Sequence, residues 1–194
     1  MVRSKFSPSV FHPFVFFVVF LSVFFLLAHR FSVDSQHPSS PRVVVDQNEY
    51  ANILVTYVYD GDTIKLSNGE KIRLEGIDTP ESRKNNKLLR DAKRSHQDVD
   101  EILRMGRAAS EYVKSLLTDR RVRLEFDIQQ RDKYGRLLAY VYRLDDGLFI
   151  NQEIIKNGYA YPLTIPPNLR YADRFKEFFR EARKQGLGLW GKVS

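Results

Sequence analysis

Cysteine is absent from this chain of 194 residues, and histidine is scarce. Without cysteine, disulfide scaffolds, zinc–thiolate sites and thiol catalysis are excluded. His12, His29 and His37 lie in the N-terminal region, and only His96 falls within the body of the chain. This distribution leaves no histidine cluster for zinc or for a Ser-His mechanism. Any metal ion must be held by oxygen or imidazole, and any catalysis must depend on carboxylates and arginines.

A long apolar run lies near the N-terminus. Residues 14–28 are apolar apart from Ser22, and a polar stretch with prolines and serines follows them. This pattern predicts an export signal, although a retained signal-anchor stays open because Leu26-Leu27-Ala28 is an imperfect cleavage site. We expect a protein that is secreted, periplasmic or anchored to the membrane by this segment. The predicted organisation is a signal peptide or signal-anchor at 1–30, a linker at 31–49 and one globular domain at 50–194.

Acidic residues are fewer than basic ones, with 24 aspartates and glutamates against 31 lysines and arginines. Its formal charge is +7 and its isoelectric point is near 9.6. Clustered lysine and arginine attract polyanions, so the composition favours an acidic partner such as nucleic acid or an anionic membrane surface. The length allows one core, and we expect a monomer.

Apolar periodicity predicts an α+β fold. Apolar residues at helical spacing recur near 109–116, 150–155 and 175–182, whereas residues 83–104 are densely charged. We interpret 83–104 as a solvated helical insertion, with a face that contacts nucleic acid as the alternative. A two-residue turn at Asn68-Gly69 joins two of five predicted strands, and five strands in this order predict a small closed barrel with packed helices. The predicted strands are Ile53–Tyr59, Thr63–Leu66, Lys71–Ile77, Arg121–Ile128 and Leu137–Leu144.

Two aspartates near the ends of predicted strands suit a hard metal ion. Asp62 and Asp78 are oxygen donors of the kind that calcium prefers. They are too far apart in sequence for an EF-hand loop, but the hairpin between them could bring the strand ends together. Thr79 precedes a proline, which biases its backbone toward an extended conformation, so its carbonyl is a candidate third ligand. The alternative for this segment is structural, with Thr79-Pro80 capping a helix.

Three further residues complete a set that suits phosphodiester hydrolysis. Glu81, three residues beyond Asp78, is a candidate for orienting or deprotonating water. Arg73 and Arg136 are candidates for binding phosphate, because a guanidinium presents a planar fork to two oxygens and stays charged. The alternative for Glu81 is a carboxylate in the first turn of a helix, where the helix dipole favours it. Each residue has a structural explanation alone, but the set together favours an enzyme.

Four segments of this chain resemble the signature of the staphylococcal (micrococcal) nuclease family, in the same order and at compatible spacing. The segments are Tyr59-Asp60-Gly61-Asp62-Thr63, Ile72-Arg73-Leu74, Ile77-Asp78-Thr79-Pro80-Glu81 and Asp132-Lys133-Tyr134-Gly135-Arg136-Leu137-Leu138-Ala139-Tyr140. The resemblance covers roughly residues 55–190. It implies a five-stranded OB-fold barrel with packed α-helices and a calcium-dependent nuclease that acts on DNA and RNA.

The resemblance also implies a role for each matching residue. Calcium would be held by Asp62, Asp78 and the Thr79 carbonyl. Glu81 would be the base or position the water, and Arg73 and Arg136 would bind phosphate. Lys133 and Tyr134 match residues that contact the terminal phosphate and the nucleoside of a bound nucleotide.

One departure from the family concerns the base pocket. Where the family has tyrosines after the helix that stops at Gly158, this chain has a run from Pro162 to Pro167, and Tyr159 and Tyr161 lie slightly earlier. The resemblance therefore does not extend to base stacking or end preference, whereas it does extend to metal binding and chemistry. A non-catalytic nucleic-acid-binding barrel remains the alternative function, because a barrel of this kind is also a common binding fold.

Overall fold

The computed structural model describes residues 45–95 and 98–191, which belong to one compact unit. Its centre is a closed barrel of five strands, which are β1 (Ile53–Val58), β2 (Thr63–Leu66), β3 (Lys71–Leu74), β5 (Arg121–Glu125) and β6 (Leu137–Arg143). Their order around the barrel is β1-β2-β3-β6-β5, and neighbouring strands are antiparallel except β3 and β6, which run parallel. A separate ladder joins β4 (Ile77–Asp78) to β7 (Tyr161–Pro162).

Side-chain alternation explains why these segments form a barrel. Ile64 and Leu66 of β2 and Ile72 and Leu74 of β3 are buried, whereas the residues between them point outward. Inward side chains at every second position fill the interior of a small barrel. The predicted turn at Asn68-Gly69 joins the two strands and adopts a positive φ at the glycine. The predictions of an α+β fold and of a five-stranded barrel are confirmed.

The described chain contains four α-helices. They are α1 (Asn86–Ser95), α2 (Val99–Leu117), α3 (Ile150–Lys156) and α4 (Ala172–Gln185), with short 3-10 helices at Gln47–Tyr50 and Gly188–Trp190. Val113 and Leu117 of α2, Ile154 and Ile155 of α3 and Phe175 of α4 belong to the main core. The three predicted helical regions therefore lie within α2, α3 and α4.

The insertion at 83–104 is not simply solvated, as the sequence had suggested. Leu88 and Ala92 of α1 form a second hydrophobic cluster with Ile102 and Leu103 of α2. Four apolar positions among many charges were too few to show a periodic face in the sequence. The charged helix therefore has a small core of its own.

The predicted helix cap at Thr79-Pro80 is wrong. The next helix, α1, begins only at Asn86, and both the amide and the hydroxyl of Thr79 donate to Asp62. Glu81 consequently does not lie in the first turn of a helix. The predicted strand 71–77 is also interrupted, because Gly76 takes a positive φ of 81° that ends β3 before β4 begins.

The N-terminal predictions concern residues that mostly lie outside the described part of the chain. The apolar run 14–28 is among them, so export and membrane attachment stay predictions. Residues 45–49 fell within the predicted linker, yet Val45 is buried and its amide donates to Gln130. The fold thus extends slightly upstream of residue 50. Among the described residues, none of the helices has the length and apolarity needed to cross a membrane.

Candidate active site

A cleft of about 520 Å³ lies beside the barrel, where the β1–β2 turn, the chain from β3 to Glu81 and the β5–β6 loop meet. Leu163, Ile165 and Asn168, which follow β7, form a further part of its wall. The residues that the sequence predicted to form the site all line this one cleft. They are Asp62, Arg73, Asp78, Thr79, Glu81, Lys133, Tyr134 and Arg136.

Asp62 is the most deeply placed acid of the predicted metal site. It ends the turn between β1 and β2, and its carbonyl accepts from the Leu74 amide, which ties the turn to β3. Its Oδ2 accepts from the Thr79 amide at 3.1 Å and the Thr79 hydroxyl at 3.2 Å, and its Oδ1 accepts from the Thr63 hydroxyl at 2.9 Å. The residue is only 7% exposed. These bonds fix the carboxylate and the Thr79 backbone relative to each other.

Arg73 joins the two aspartates. Its Nη2 lies 3.2 Å from Asp62 Oδ2 and 2.8 Å from Asp78 Oδ1. Its Nη1 donates to the carbonyls of Leu74 at 3.0 Å and Ile77 at 2.8 Å. Because both β3 and β4 contribute acceptors, the turn between them determines where the guanidinium sits. The sequence placed Arg73 in the site but gave no indication that it pairs with both predicted metal ligands.

Burial and neighbouring charges shift the pKa values of Asp62 and Asp60 in opposite directions. Burial alone would raise the pKa of Asp62, but the Arg73 charge and the hydrogen bonds from Thr79 and Thr63 outweigh burial and lower it. Burial and the nearby Asp62 charge raise the pKa of Asp60 to about 7. Asp62 is therefore held ionised, which is the form that binds a cation. Asp60, to which the sequence assigned no role, adds a further acidic group beside Asp62.

The donors present fit a hard cation that accepts mixed oxygen ligands. Asp62 Oδ2 and Asp78 Oδ1 are at most about 6 Å apart, since both lie close to the same nitrogen of Arg73. Calcium takes oxygens at about 2.3–2.6 Å and accepts carboxylate, carbonyl and water together. In the described part of the chain no three His, Asp or Glu side chains are grouped to hold a metal by themselves. A site here must therefore include backbone carbonyl or water, which agrees with the predicted role of Thr79.

Glu81 is positioned by its neighbours on both sides. Asn85, just before α1, donates its side-chain amide to Glu81 Oε2 at 2.6 Å. Gly106 of α2 packs against the Glu81 backbone, and a Cβ at position 106 would stand 2.3 Å from the Glu81 carbonyl oxygen. No side chain could occupy that space without displacement of the chain. Asn85 and α2 thus support the segment that carries Glu81.

The β5–β6 loop holds Arg136 through a single carboxylate. Asp132 Oδ2 accepts from Arg136 Nε at 2.8 Å, and Asp132 Oδ1 accepts from the backbone amides of Tyr134 and Arg136 at 2.9 and 3.0 Å. Asp132 thereby closes the loop and orients the guanidinium. Tyr134 is 73% exposed, and the Lys133 Nζ lies 5.1 Å from the centre of its ring. The sequence contained Asp132 in its motif but predicted no role for it.

Glu75 and Asn168 form a buried pair that the sequence did not reveal. Asn168 donates its side-chain amide to Glu75 Oε2 at 2.9 Å, and its Oδ1 accepts from the Gln129 amide at 2.8 Å. Glu75 Oε1 accepts from the Gly76 amide at 3.0 Å. Burial raises the pKa of Glu75, although the bonds from Asn168 and Gly76 partly offset this. The pair attaches the chain after β7 to the end of β3, so it shapes one wall of the cleft.

Among the described residues, the lining of the cleft does not include Tyr159 or Tyr161. Tyr159 stacks on Tyr112 with ring centres 4.2 Å apart, and Tyr161 packs edge-on against Trp190 at 5.0 Å. The cleft wall at this place is formed instead by Leu163 and Ile165. Aliphatic side chains offer contact area to a base but no ring for stacking.

Comparison with known proteins identifies the family. The family model described as staphylococcal nuclease homologue matches residues 71–192. This range includes Arg73, Asp78, Glu81 and Arg136, whereas Asp62 precedes it.

Several curated relatives are named as nucleases. The chain is 41% identical over 140 residues to a thermonuclease of Staphylococcus intermedius, covering 71% of this chain and 74% of that one. It is 35% identical over 139 residues to a thermonuclease of Staphylococcus hyicus, covering 70% and 73%. It is 36% identical over 152 residues to endonuclease YncB of Bacillus subtilis, covering 76% and 65%. The closed five-stranded barrel is consistent with the OB-fold that the resemblance implied. The chain therefore belongs to the staphylococcal nuclease family.

Proposed function

We propose that this protein is a calcium-dependent nuclease that hydrolyses phosphodiester bonds in DNA and RNA. One observation carries the proposal. Asp62 and Asp78, which suit a cation, lie 3.2 and 2.8 Å from one Arg73 nitrogen in a cleft that Glu81 and Arg136 also line. A hydrolytic phosphodiesterase needs a cation, a carboxylate for water and fixed positive donors, and here these groups share one space.

Asp62, Asp78 and the Thr79 carbonyl are the groups that would hold calcium. Bound there, the ion would neutralise phosphate charge. Asp62 suits this role because the Arg73 charge, with the hydrogen bonds from Thr79 and Thr63, lowers its pKa against the effect of burial, and the same hydrogen bonds orient its carboxylate. The family is metal-dependent, and the choice of calcium rests on this oxygen-only, loosely constrained donor set.

Glu81 and the two arginines would perform the chemical step. Glu81 accepts a proton from water as the water oxygen bonds to phosphorus, and the bond from phosphorus to the leaving sugar oxygen breaks. The leaving oxygen takes up a proton from solvent. Arg73 and Arg136 donate N–H bonds to the non-bridging oxygens, where negative charge grows in the transition state. Lys133 and Tyr134, on the exposed loop, would contact the neighbouring phosphate and sugar.

A metal-dependence assay tests the proposal. The full-length chain would be incubated with single-stranded DNA, double-stranded DNA and RNA, with calcium, with magnesium and with chelator. We expect cleavage of both DNA and RNA in calcium and none in chelator. Full activity in chelator would overturn the metal assignment. Binding of these substrates without cleavage in calcium would instead support a non-catalytic nucleic-acid-binding barrel.

A further inference from the structure

The outer surface of β1, β2 and β3 carries basic and aromatic side chains beyond the cleft. Since Ile64 and Ile72 point into the barrel, Lys65 and Lys71 point outward. Lys65 lies opposite Lys71 across β2 and β3, and Tyr57 lies opposite Lys65 across β1 and β2. The three residues therefore form one row across three strands, about 10 Å wide.

An irregularity in β1 brings tyrosine to this surface. The register shifts between Val55 and Tyr57, so that Thr56 is an extra residue facing β2, and its hydroxyl donates to the Lys65 carbonyl at 3.3 Å. Bulges of this kind redirect the side chains that follow them. Tyr57 is 48% exposed as a result, and its ring lies edge-on to Tyr59 with centres 4.9 Å apart. Lys71 Nζ completes the group, 5.0 Å from the centre of the Tyr59 ring.

The placement of the lysines does not serve the stability of the sheet. Like charges directly opposite each other on neighbouring strands repel, and Lys65 and Lys71 are such a pair. The acid next in sequence, Glu70, is already bound by Arg131, whose two Nη atoms lie 3.0 and 2.7 Å from its carboxylate oxygens. The positive charge of the two lysines thus remains available to an anionic partner.

The tyrosines and lysines of this outer surface adjoin the cleft. Lys71 and Arg73 lie two residues apart on the same face of β3, about 7 Å along the strand. Tyr59 directly precedes Asp60, which lines the cleft. A polyanion whose phosphate lies at Arg73 would therefore meet Lys71 next and then reach Lys65 and the tyrosines.

We propose that Tyr57, Tyr59, Lys65 and Lys71, here called the outer strip, bind a single-stranded segment of nucleic acid that extends from the cleft. The lysines would pair with phosphates, and the exposed Tyr57 ring would stack on a base, as in proteins that bind single strands without sequence preference. This inference rests on the proposed function, because it takes the cleft to hold a phosphodiester. It adds a site that favours long substrates over short ones.

Binding measurements without turnover test the outer strip. The full-length chain in chelator would be titrated with a labelled dinucleotide and with oligo-dT of about 12 nucleotides, a length within the usual range for one barrel of this kind. Fluorescence anisotropy would be recorded at several salt concentrations, and the oligonucleotide length would be checked afterwards. Lys65→Ala/Lys71→Ala should weaken binding of the long strand and reduce the slope of log affinity against log salt by about 1.4.

Tyr57→Ala should weaken binding of the long strand about tenfold, since stacking on one base is worth roughly that factor. Tyr57→Phe, which keeps the ring, should bind as the wild type does. Neither the lysine nor the tyrosine variants should change affinity for the dinucleotide. Lys156→Ala/Lys176→Ala is the matched control, because it removes two lysines from α3 and α4 and should leave the salt slope unchanged.

Four results would overturn the outer strip: a wild type that does not bind the long strand, strip variants that bind the long strand as the wild type does, a control variant whose salt slope falls equally, or strip variants whose affinity for the dinucleotide falls equally. Cleavage in calcium, measured on the same wild-type sample, separates this proposal from the nuclease proposal. If the protein cleaves but the strip variants have no effect on binding, only the outer-strip proposal is refuted. If the strip variants change the salt slope but the protein never cleaves, only the nuclease proposal is refuted.

Discussion

Gly106 of α2 lies so close to Glu81 that a Cβ at position 106 would be 2.3 Å from the Glu81 carbonyl oxygen and 2.6 Å from the Ser82 amide nitrogen. Since backbone atoms occupy this contact, the chain that carries Glu81 must move if a side chain is added. In an unconstrained helix, Gly→Ala would stabilise the protein by about 1 kcal/mol. We expect Gly106→Ala to lower both thermal stability and turnover.

Ala108→Gly is the control for this effect, because Ala108 is exposed on the same helix. It should lower stability by up to about 1 kcal/mol through helix propensity and leave turnover unchanged. A Gly106→Ala variant that was more stable than wild type and fully active would show that the close contact does not position Glu81.

Glu81→Gln should slow hydrolysis by about 10²–10⁴, the usual contribution of general acid–base catalysis. The structure removes one alternative, since α1 begins at Asn86 and Glu81 cannot act through its first turn. Turnover and calcium-dependent nucleotide affinity should be measured on the same variant, and affinity should change far less than turnover. Unchanged turnover would refute the role, and an equal collapse of both quantities would make Glu81 chiefly a metal ligand.

Arg73→Lys should reduce turnover by about 10²–10³, because lysine cannot present a bidentate fork to phosphate. Arg73 is only 12% exposed and pairs with two carboxylates and two carbonyls, so the substitution also removes contacts that hold the fold. Urea denaturation should therefore show a loss of stability as well. A fully stable variant with wild-type turnover would contradict both expectations.

Arg136→Lys is the cleaner test of phosphate binding, since this arginine is more exposed and its main partner is Asp132. Asp132→Ala should lower turnover by releasing the Arg136 guanidinium and the loop amides. If Asp132 acts through Arg136, the two losses should be strongly non-additive in the double variant. Additive losses would indicate that Asp132 affects the site independently.

Glu75 should make stability depend on pH. Burial raises its pKa in the folded state above 4.5, so the folded state binds more protons than the unfolded state just above that pH. Stability contributed by protonated Glu75 is therefore present in acid and is lost as pH rises through the folded pKa. The stability of the wild type relative to Glu75→Gln should fall as pH rises from about 4 towards neutrality. A difference that is constant with pH, measured by denaturation, would contradict the raised pKa.

Local pattern was sufficient for most of the barrel. The strand Thr63–Leu66 was predicted with its correct bounds, and Asn68-Gly69 located the hairpin that brings Asp62 near Asp78. Period-two alternation and turn chemistry act within a few residues, so the sequence displays them directly. The resemblance to the nuclease family, and not local pattern, assigned Lys133, Tyr134 and Arg136 to the same site as Asp62.

Contacts between distant segments could not be predicted in this way. Glu75 meets Asn168, far along the chain, and nothing near either residue indicates the partner. Nothing in the sequence around Gly106 indicates its role, because the contact that requires a glycine there is with the backbone of Glu81 and Ser82. Thr79-Pro80 resembled a helix cap, but Asp62 takes both donors of Thr79, so a tertiary bond replaced the local one.

The parallel pairing of β3 with β6 ties catalysis to the completion of folding. Arg73 on β3 lies opposite Leu138 of β6, and Arg136 directly precedes β6, so the two arginines of the cleft come from segments whose connection includes α1, α2 and β5. Pairings between segments so distant along the chain form slowly, because a large loop must close first. A chain that has made only the β1–β2–β3 meander would hold Asp62 and Arg73 but lack Arg136 and the wall that Asn168 anchors. Partly folded chains should therefore be unable to cleave nucleic acid backbones, and the cleft should become competent only when the last strand of the barrel has docked.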